Sequence, residues 1–273
     1  MARDLLMEQP LTKTALAKAL GVSRSTLYYR PIREKKDERL RDQILEALTE
    51  HPAYGHRRIA LHLKINKKRA RRVMLKFGLK PKIRRKVPKY GRKTSPSGIP
   101  NRTKNVTPIA PNAIWVGDFT ELRFHHRKLY FATVVDRYTR EVLAWQLGLH
   151  HTARLVIDVL EEAVRKREHT PTIFHSDQGS EYTAHACIEW IVRHKILPSH
   201  SPKASPWRNG HQESFFSTFK LEFGKPSRHV TIETLAEAIG RYIHYYNSRR
   251  IHSSLKMPPR SFYEQRNVKY RKS

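Results

Sequence analysis

Between His51 and Gly117 the chain has no acidic residue: nineteen Lys or Arg stand there without one Asp or Glu. Solvated faces normally interleave both signs. This absence therefore argues against an ordinary surface and for a polyanion partner, of which nucleic acid is the commonest. The imbalance is local. Residues 1–50 carry ten basic against eight acidic side chains and residues 118–273 carry twenty-five against sixteen, within a net charge of +30. Cysteine is nearly absent as well: Cys187 is the single one. That excludes a disulfide framework and a cysteine-based zinc site, and it suits a reduced compartment. No apolar run approaches the roughly eighteen residues of a membrane span, and no secretory leader is legible. The expectation is a cytoplasmic, nucleoid-associated protein without a membrane partner. With 38% hydrophobic residues and 10% aromatics over 273 positions, a core for one sizeable domain and one or two small ones is available.

The amino-terminal third reads as two small helical units. In "LTKTALAKALGVSRSTLYYRP", Leu16, Ala19 and Leu20 precede Gly21, and Ser23 is a good N-cap for a second short helix. Residues 1–32 thus suit a helix-turn-helix or a plain helical hairpin. Residues 35–80 repeat the theme. Leu40, Ile44, Leu45 and Leu48 lie at core spacing on a helix over 38–49, Pro52 and Gly55 make a turn, and a third helix begins at Asn66. Lys67, Lys68, Arg69, Arg71 and Arg72 cover its first turns, opposite Ala70, Val73, Met74 and Phe77. A helix basic on one face and apolar on the other is suited to lie along DNA phosphates. Arg57 and Arg58 join it as candidate contacts. Residues 81–112, rich in proline and basic residues, read as a stiff linker able to follow a phosphate backbone, with Arg84 and Arg85 as further candidates.

The character changes at residue 113. "AIWVGDFTEL", "KLYFATVVD" and "EVLAWQLGL" read as three strands. A helix over "TARLVIDVLEEAVRKRE", a short buried strand "TIFHSD" and a helix over "TAHACIEWIVRHK" follow. Helices near 208–223 and 232–247 come last. This pattern predicts a mixed α/β core over 113–225 with a central sheet and flanking helices, and a carboxy-terminal helix and basic tail over 226–273.

Three acids stand out. Asp118 shares a strand face with Ile114, Val116 and Thr120, and a buried aspartate without a partner is costly. Asp177 follows a strand end, where α/β sheets open into clefts. Glu213 lies in the first turns of a helix whose Phe215, Phe216, Phe219 and Phe223 form the buried stripe. Asn209, Ser217 and Lys220 line the same edge as Glu213. Three converging acids would repel one another unless a cation lay between them, and carboxylate oxygens select Mg²⁺ or Mn²⁺. Two such ions roughly 3.5–4 Å apart serve phosphodiester chemistry. Taken singly, Asp118 also suits a turn cap, Asp177 an ordinary turn and Glu213 a helix surface. Spacing does not exclude Asp136 as an alternative. His175 and His211 flank the acids, where packing roles are commoner than ligation. Trp207 suits base stacking or a hinge. Tyr246, Asn247, Arg250 and His252 suit DNA contact or pinning of the last helix.

The order Asp118, Asp177, then Glu213 after thirty-five intervening residues resembles the DDE motif of retroviral-type integrases and transposases. "WVGDFTEL", "HSDQGSEYT" and "SPKASPWRNGHQESFFSTFKLE" resemble the catalytic blocks of the bacterial insertion-sequence-three family, in its OrfB-type subunit. "HPAYGHRRI" and "YNSRRIHSSL" resemble its helix-turn-helix segment and closing motif. The resemblance implies a ribonuclease-H-like core in which Asp118, Asp177 and Glu213 hold two Mg²⁺ ions, with Mn²⁺ as substitute, while Asp136 is structural. It implies that Lys220, with Arg208 and Asn209, contacts element-end DNA. It also implies strand cleavage and 3′-hydroxyl transesterification at terminal inverted repeats, and integration into target DNA by a dimer or larger paired-end complex. An upstream-frame OrfA-type partner or fusion is common in that family, yet this chain has its own helix-turn-helix-like unit and no long a/d heptad run. A DNA-binding regulator with an inactive core and a hydrolytic nuclease or resolvase are the competing readings. The intact acids count against the first and the helical DNA-binding units against the second.

Overall fold

In this computed structural model, residues 12–28, 32–82, 98–201 and 210–270 are described. Arg84, Arg85, Trp207, Arg208, Asn209, the His211 side chain and the end of the predicted tail lie outside them, as do residues 83–97 of the predicted linker.

Residues α1 Lys13–Ala19 and α2 Arg24–Tyr28 bracket Gly21, whose φ of 63° lies in the left-handed region that glycine adopts without strain. The Ser23 hydroxyl accepts the Thr26 amide at 3.3 Å, as an N-cap should. Helices α3 Ile32–Glu50, α4 His56–His62 and α5 Lys67–Lys76 form the second unit. Its core gathers Leu40, Ile44, Ala47, Tyr54, Ile59, Ala70, Val73 and Met74. Leu45, expected in that core, is 44% exposed. Ala47 is buried instead, because the stripe follows i, i+4, i+7 from Leu40 rather than taking adjacent residues.

The core domain is a five-stranded sheet in the order β3-β2-β1-β4-β5. Strands β1 Ile114–Phe124, β2 Arg127–Asp136 and β3 Val142–Gly148 form the antiparallel meander. After α6 Ala153–Arg167, β4 Ile173–Ser176 pairs parallel to β1. Short α7 Ser180–Thr183 and α8 His185–Arg193 lead to β5 Leu197–His200, parallel to β4. Among the described residues, three further α-helices follow: α9 Gly210–Glu222, α10 Ile232–Ser248 and α11 Pro259–Tyr270. Alternation along each strand splits the core into two layers. Trp115, Ala132, Val134, Leu143 and Phe174 pack with α6 and α8 on one face. Leu122, Phe131 and Val135 pack with the phenylalanines of α9 and with α10 on the other. Strand β5 and helix α11 were not expected from the sequence; α11 runs through Tyr270, into the start of the closing "KYRKS" read as a basic tail. The last residues of the predicted linker are docked rather than extended. The Arg102 amide donates to Ser199 Oγ at 2.9 Å, and Thr103 is buried beside His175.

The second helical unit is joined to the core. Tyr54 Oη accepts the Ile251 amide at 2.6 Å, and His51 Nδ1 lies 2.8 Å from Tyr245 Oη. Burial pushes the pKa of His51 down to about 4, aided by His62, Arg250 and Arg58 and opposed by Glu50. Burial, with Arg140, Arg250 and Arg58, does the same to His252. Both rings are neutral in the fold, whereas the unfolded chain takes up their protons below about pH 6.5. Their contribution is therefore present above that pH and is lost as pH falls from about 6.5 toward 4, with a slope of at most about 1.4 kcal/mol per pH unit for each ring. The expected result is a melting temperature that falls between pH 7 and pH 5, with a shallower fall in His51→Phe. An equal fall in both proteins would show that His51 is not among the titrating groups.

Among the described residues, no helix is long and apolar enough to cross a membrane.

Candidate active site

The register of the sheet brings two of the three acids together. Val116 of β1 pairs with His175 of β4 in parallel. Asp118 and Asp177 each lie two residues further on, so they stand side by side where the two strands diverge. Gly117 makes this close pairing feasible, because a Cβ there would run into the ring of Phe174. Asp118 Oδ1 accepts its neighbour Phe119 amide at 2.8 Å, and Asp177 Oδ1 accepts the Gly179 amide at 3.0 Å. Partial dehydration by the cleft walls pushes the Asp177 pKa up, opposed by that amide bond. Asp177 itself remains exposed at the rim.

The turn after Asp177 is built around a fourth carboxylate that the sequence reading did not single out. Glu181 is 5% exposed and lies within 3.2 Å of Ser180 Oγ and 3.4 Å of His151 Nδ1. A Cβ at Gly179 would collide with its carboxylate, so the glycine and the glutamate define the turn together. Tyr182 is buried against Phe119 and Phe174, and Asp118, Asp177 and Glu181 add to the burial that raises its pKa.

Glu213 sits in the first turn of α9. Phe215, Phe216, Phe219 and Phe223 are all buried, as the spacing predicts, and Phe131 receives them from β2. Gln212 falls on the same i, i+3, i+4, i+7 stripe. A polar amide on an apolar stripe is a signal the sequence carried. The structure answers it: Gln212 Nε2 donates to the Val116 carbonyl at 2.6 Å, two residues before Asp118. Lys220 Nζ donates to Thr120 Oγ1, two residues after Asp118 on the same face. Both ends of the edge of α9 that carries Glu213 are thereby attached to β1. Among the described residues no three His, Cys, Asp or Glu side chains are drawn together closely enough to hold a metal ion.

The remaining candidates separate clearly. Asp136 is 0% exposed and accepts the amides of Asn112, Tyr138 and Thr139 at 2.9, 2.7 and 3.2 Å, so it ties the strand end together away from the acids. His175 is packed between the hydroxyls of Ser199 and Ser201, both at 2.9 Å. Asn247 clamps Val142, accepting its amide at 3.0 Å and donating to its carbonyl at 2.9 Å. Tyr246 packs on Phe215, and Arg250 pairs with Glu222 at 2.9 Å. His252 bridges to Met257 through the backbone. Tyr246, Asn247 and Arg250 thus pin the end of α10, while the contacts of His252 are local, to Ser254 and Met257.

On the helical unit, Arg57, Lys67, Lys68, Arg69 and Arg71 are exposed. Lys36, Lys68, Arg69 and Arg72 line an open cleft of about 540 Å³ with Asp37 and Asn66. Two members of the predicted basic face have protein partners instead. Arg72 forms a two-pronged pair with the buried Asp37, both contacts at 2.6 Å, and its hydrogen bond holds that carboxyl down to about 2. Arg58 donates to the Ala53 carbonyl at 2.6 Å and covers the Tyr54 ring at 4.8 Å.

Comparison with known proteins agrees with this architecture. Two family models, each described as an integrase core domain, match residues 108–206 and 194–259. The InsK protein of insertion sequence element IS150 from Escherichia coli strain K12 is 33% identical over 266 residues, 93% of each chain. The transposase for insertion sequence element IS904 of Lactococcus lactis strain IL1403 is 32% identical over 240 residues, 84% of this chain and 95% of that one. Among solved structures, a chain of the simian T-cell lymphotropic virus intasome superposes with a TM-score of 0.52 at 15% identity, over 81% of this chain and 73% of that one, which shows a shared fold. With its integrase core and its full-length likeness to these proteins, the chain belongs to the family of insertion-sequence transposases.

Proposed function

We propose that this transposase cuts and joins DNA at the terminal inverted repeats of its element through Asp118, Asp177 and Glu213. The observation that carries the reading is the parallel register of β1 on β4, which sets Asp118 beside Asp177 at one strand end, with α9 anchored to β1 through Gln212 next to Glu213. The donors are all carboxylate oxygens, which suit hard divalent cations such as Mg²⁺. Asp118, Asp177 and Glu213 would hold two such ions. When bound, they would polarise the scissile phosphate and lower the pKa of the attacking hydroxyl. Asp118 and Asp177 each accept a backbone amide through one carboxylate oxygen, and Glu213 would have to approach them for the set to bind a metal, since among the described residues the three are not drawn together. The side chains then orient the phosphate, while Lys220 lies along the same edge as a counter-charge for DNA. The exposed Arg57, Lys67, Lys68, Arg69 and Arg71 supply a sequence-independent grip on phosphates. Arg84, Arg85, Arg208 and Asn209, which lie outside the described residues, are further proposed contacts to DNA. Arg58 and Arg72 contribute mainly through the helical unit's own packing. Joining two DNA ends calls for a dimer or larger assembly, with or without an upstream-frame OrfA-type partner, in the bacterial cytoplasm.

The test uses labelled duplexes carrying the DNA that flanks the gene. Branched, strand-joined products are expected with Mg²⁺ or Mn²⁺, and none with EDTA. DNA binding without joined products in Mg²⁺, even with the upstream-frame protein added, would favour the regulator; products that are only hydrolysed would favour the nuclease.

A further inference from the structure

We propose that Gln212 is a positioning residue for the reaction, setting Glu213 against the paired strand ends that carry Asp118 and Asp177. The inference rests on the carboxylate reading above. Gln212 is 0% exposed, and a buried amide is costly unless its hydrogen bonds are made. Its Nε2 donates to the carbonyls of Val116 at 2.6 Å and Thr133 at 3.3 Å, and its Oε1 accepts Thr133 Oγ1 at 3.4 Å. Val116 lies two residues before Asp118, and Thr133 is the cross-strand partner of Asp118. One side chain therefore grips both strands beside the aspartate.

An apolar residue would satisfy the packing of this stripe, as Phe215, Phe216 and Phe219 do. Apolar contact is non-directional and leaves a helix free to slide or roll by fractions of an ångström. Hydrogen bonds constrain both distance and angle. Consecutive Cα atoms are about 3.8 Å apart, so fixing Gln212 on the sheet fixes the origin from which Glu213 reaches. Phe215, Phe216 and Phe219 supply the adhesion of α9, while Gln212, with Lys220 on Thr120 two turns later, supplies its register. A misplacement of about 1 Å is enough to cost on the order of a hundredfold in rate.

The test compares full-length wild type, Gln212→Leu and Gln212→Leu/Thr133→Val. In the flanking-end joining assay, Gln212→Leu is expected to raise the Mg²⁺ concentration for half-maximal joining about tenfold and to lower the saturated rate about 10- to 100-fold. DNA affinity is expected to stay unchanged. In metal-free protein, amide exchange over residues 214–219 is expected to quicken, a readout independent of activity. The double variant also removes the hydroxyl that Gln212→Leu leaves unpartnered, so its melting temperature recovers while the Mg²⁺ and rate defects persist. Wild-type Mg²⁺ dependence and rate in a folded double variant would reduce Gln212 to packing and overturn the proposal. Should Gln212→Leu not fold, Gln212→Met, unbranched and of similar length, carries the same comparison. Glu213→Gln in the same assay separates the two readings: undiminished joining there means that the carboxylate reading has failed, not the clamp.

Discussion

Asp177→Asn is expected to reduce strand joining by on the order of a thousandfold or more while leaving folding and DNA binding intact. The asparagine keeps the shape and retains an oxygen to accept the Gly179 amide, bonded at 3.0 Å in the wild type, so the turn before α7 should stand. What it loses is the negative charge. Stabilisation of transition-state charge by bound cations is worth several kcal/mol, and each 1.36 kcal/mol is tenfold in rate. Joined product measured on gels and affinity measured by fluorescence anisotropy separate the two effects. Asp136→Asn is the matched comparison. Asp136 is buried and accepts three backbone amides, so its replacement is expected to lower the melting temperature. If Asp177→Asn joins ends at the wild-type rate, Asp177 is not part of the catalytic centre.

Glu222→Ala is expected to destabilise the protein by about 3–5 kcal/mol, the cost of leaving a buried charge without its partner. Glu222 and Arg250 side chains are 5% and 8% exposed, and their contacts are 2.9 and 3.0 Å. The same carboxylate accepts Tyr242 Oη at 3.0 Å and lies 4.0 Å from Arg58 of the helical unit. Its loss therefore strands Arg250 and a tyrosine hydroxyl in one stroke. Urea denaturation reads the change directly, since the midpoint falls while the slope stays the same. A loss below about 1 kcal/mol, the range of exposed pairs, would mean that solvent reaches Arg250 despite its packing. Glu222 closes the helix that Glu213 begins, so a folded variant is also a test of whether the far end of α9 influences joining.

The meander strands were legible as short runs rich in β-branched, aromatic and other apolar residues, nearly continuous in β2 and at the start of β3. Helix α6 was legible because Leu155, Val156, Val159, Leu160 and Ala163 repeat at helical spacing. Strand β5 was not: "LPSH" is four residues long, contains a proline and has no alternation of its own. It is a strand because β4 provides a partner along its whole length. Helix α11 lacks a clear apolar stripe, and its contacts come from afar, through Tyr138 on Phe262 and Arg167 on Tyr263. The three acids were legible as a spaced set on suitable elements, and the parallel register then gave two of them a common place. The basic face was over-read at Arg72 and Arg58 for a physical reason. The partner of Arg72, Asp37, lies 35 residues away in sequence, and a pairing of that kind has no local signature, while Arg58 folds back on the Ala53 carbonyl and the Tyr54 ring. Gln212 left a local trace, a polar residue on an apolar stripe, but only the carbonyls of β1 and β2 explain it.

The clamp of Asn247 on Val142 has a consequence for self-association. Strand β3 ends the sheet, and an uncovered outer strand offers its backbone as a template on which another chain can add. The Asn247 amide occupies both the N–H and the C=O of Val142, imitating one residue of a neighbouring strand. Lys166 Nζ reaches the same carbonyl at 3.5 Å, so a charge guards the position too. The start of the sheet margin is thus closed, and indiscriminate strand-to-strand growth is blocked there.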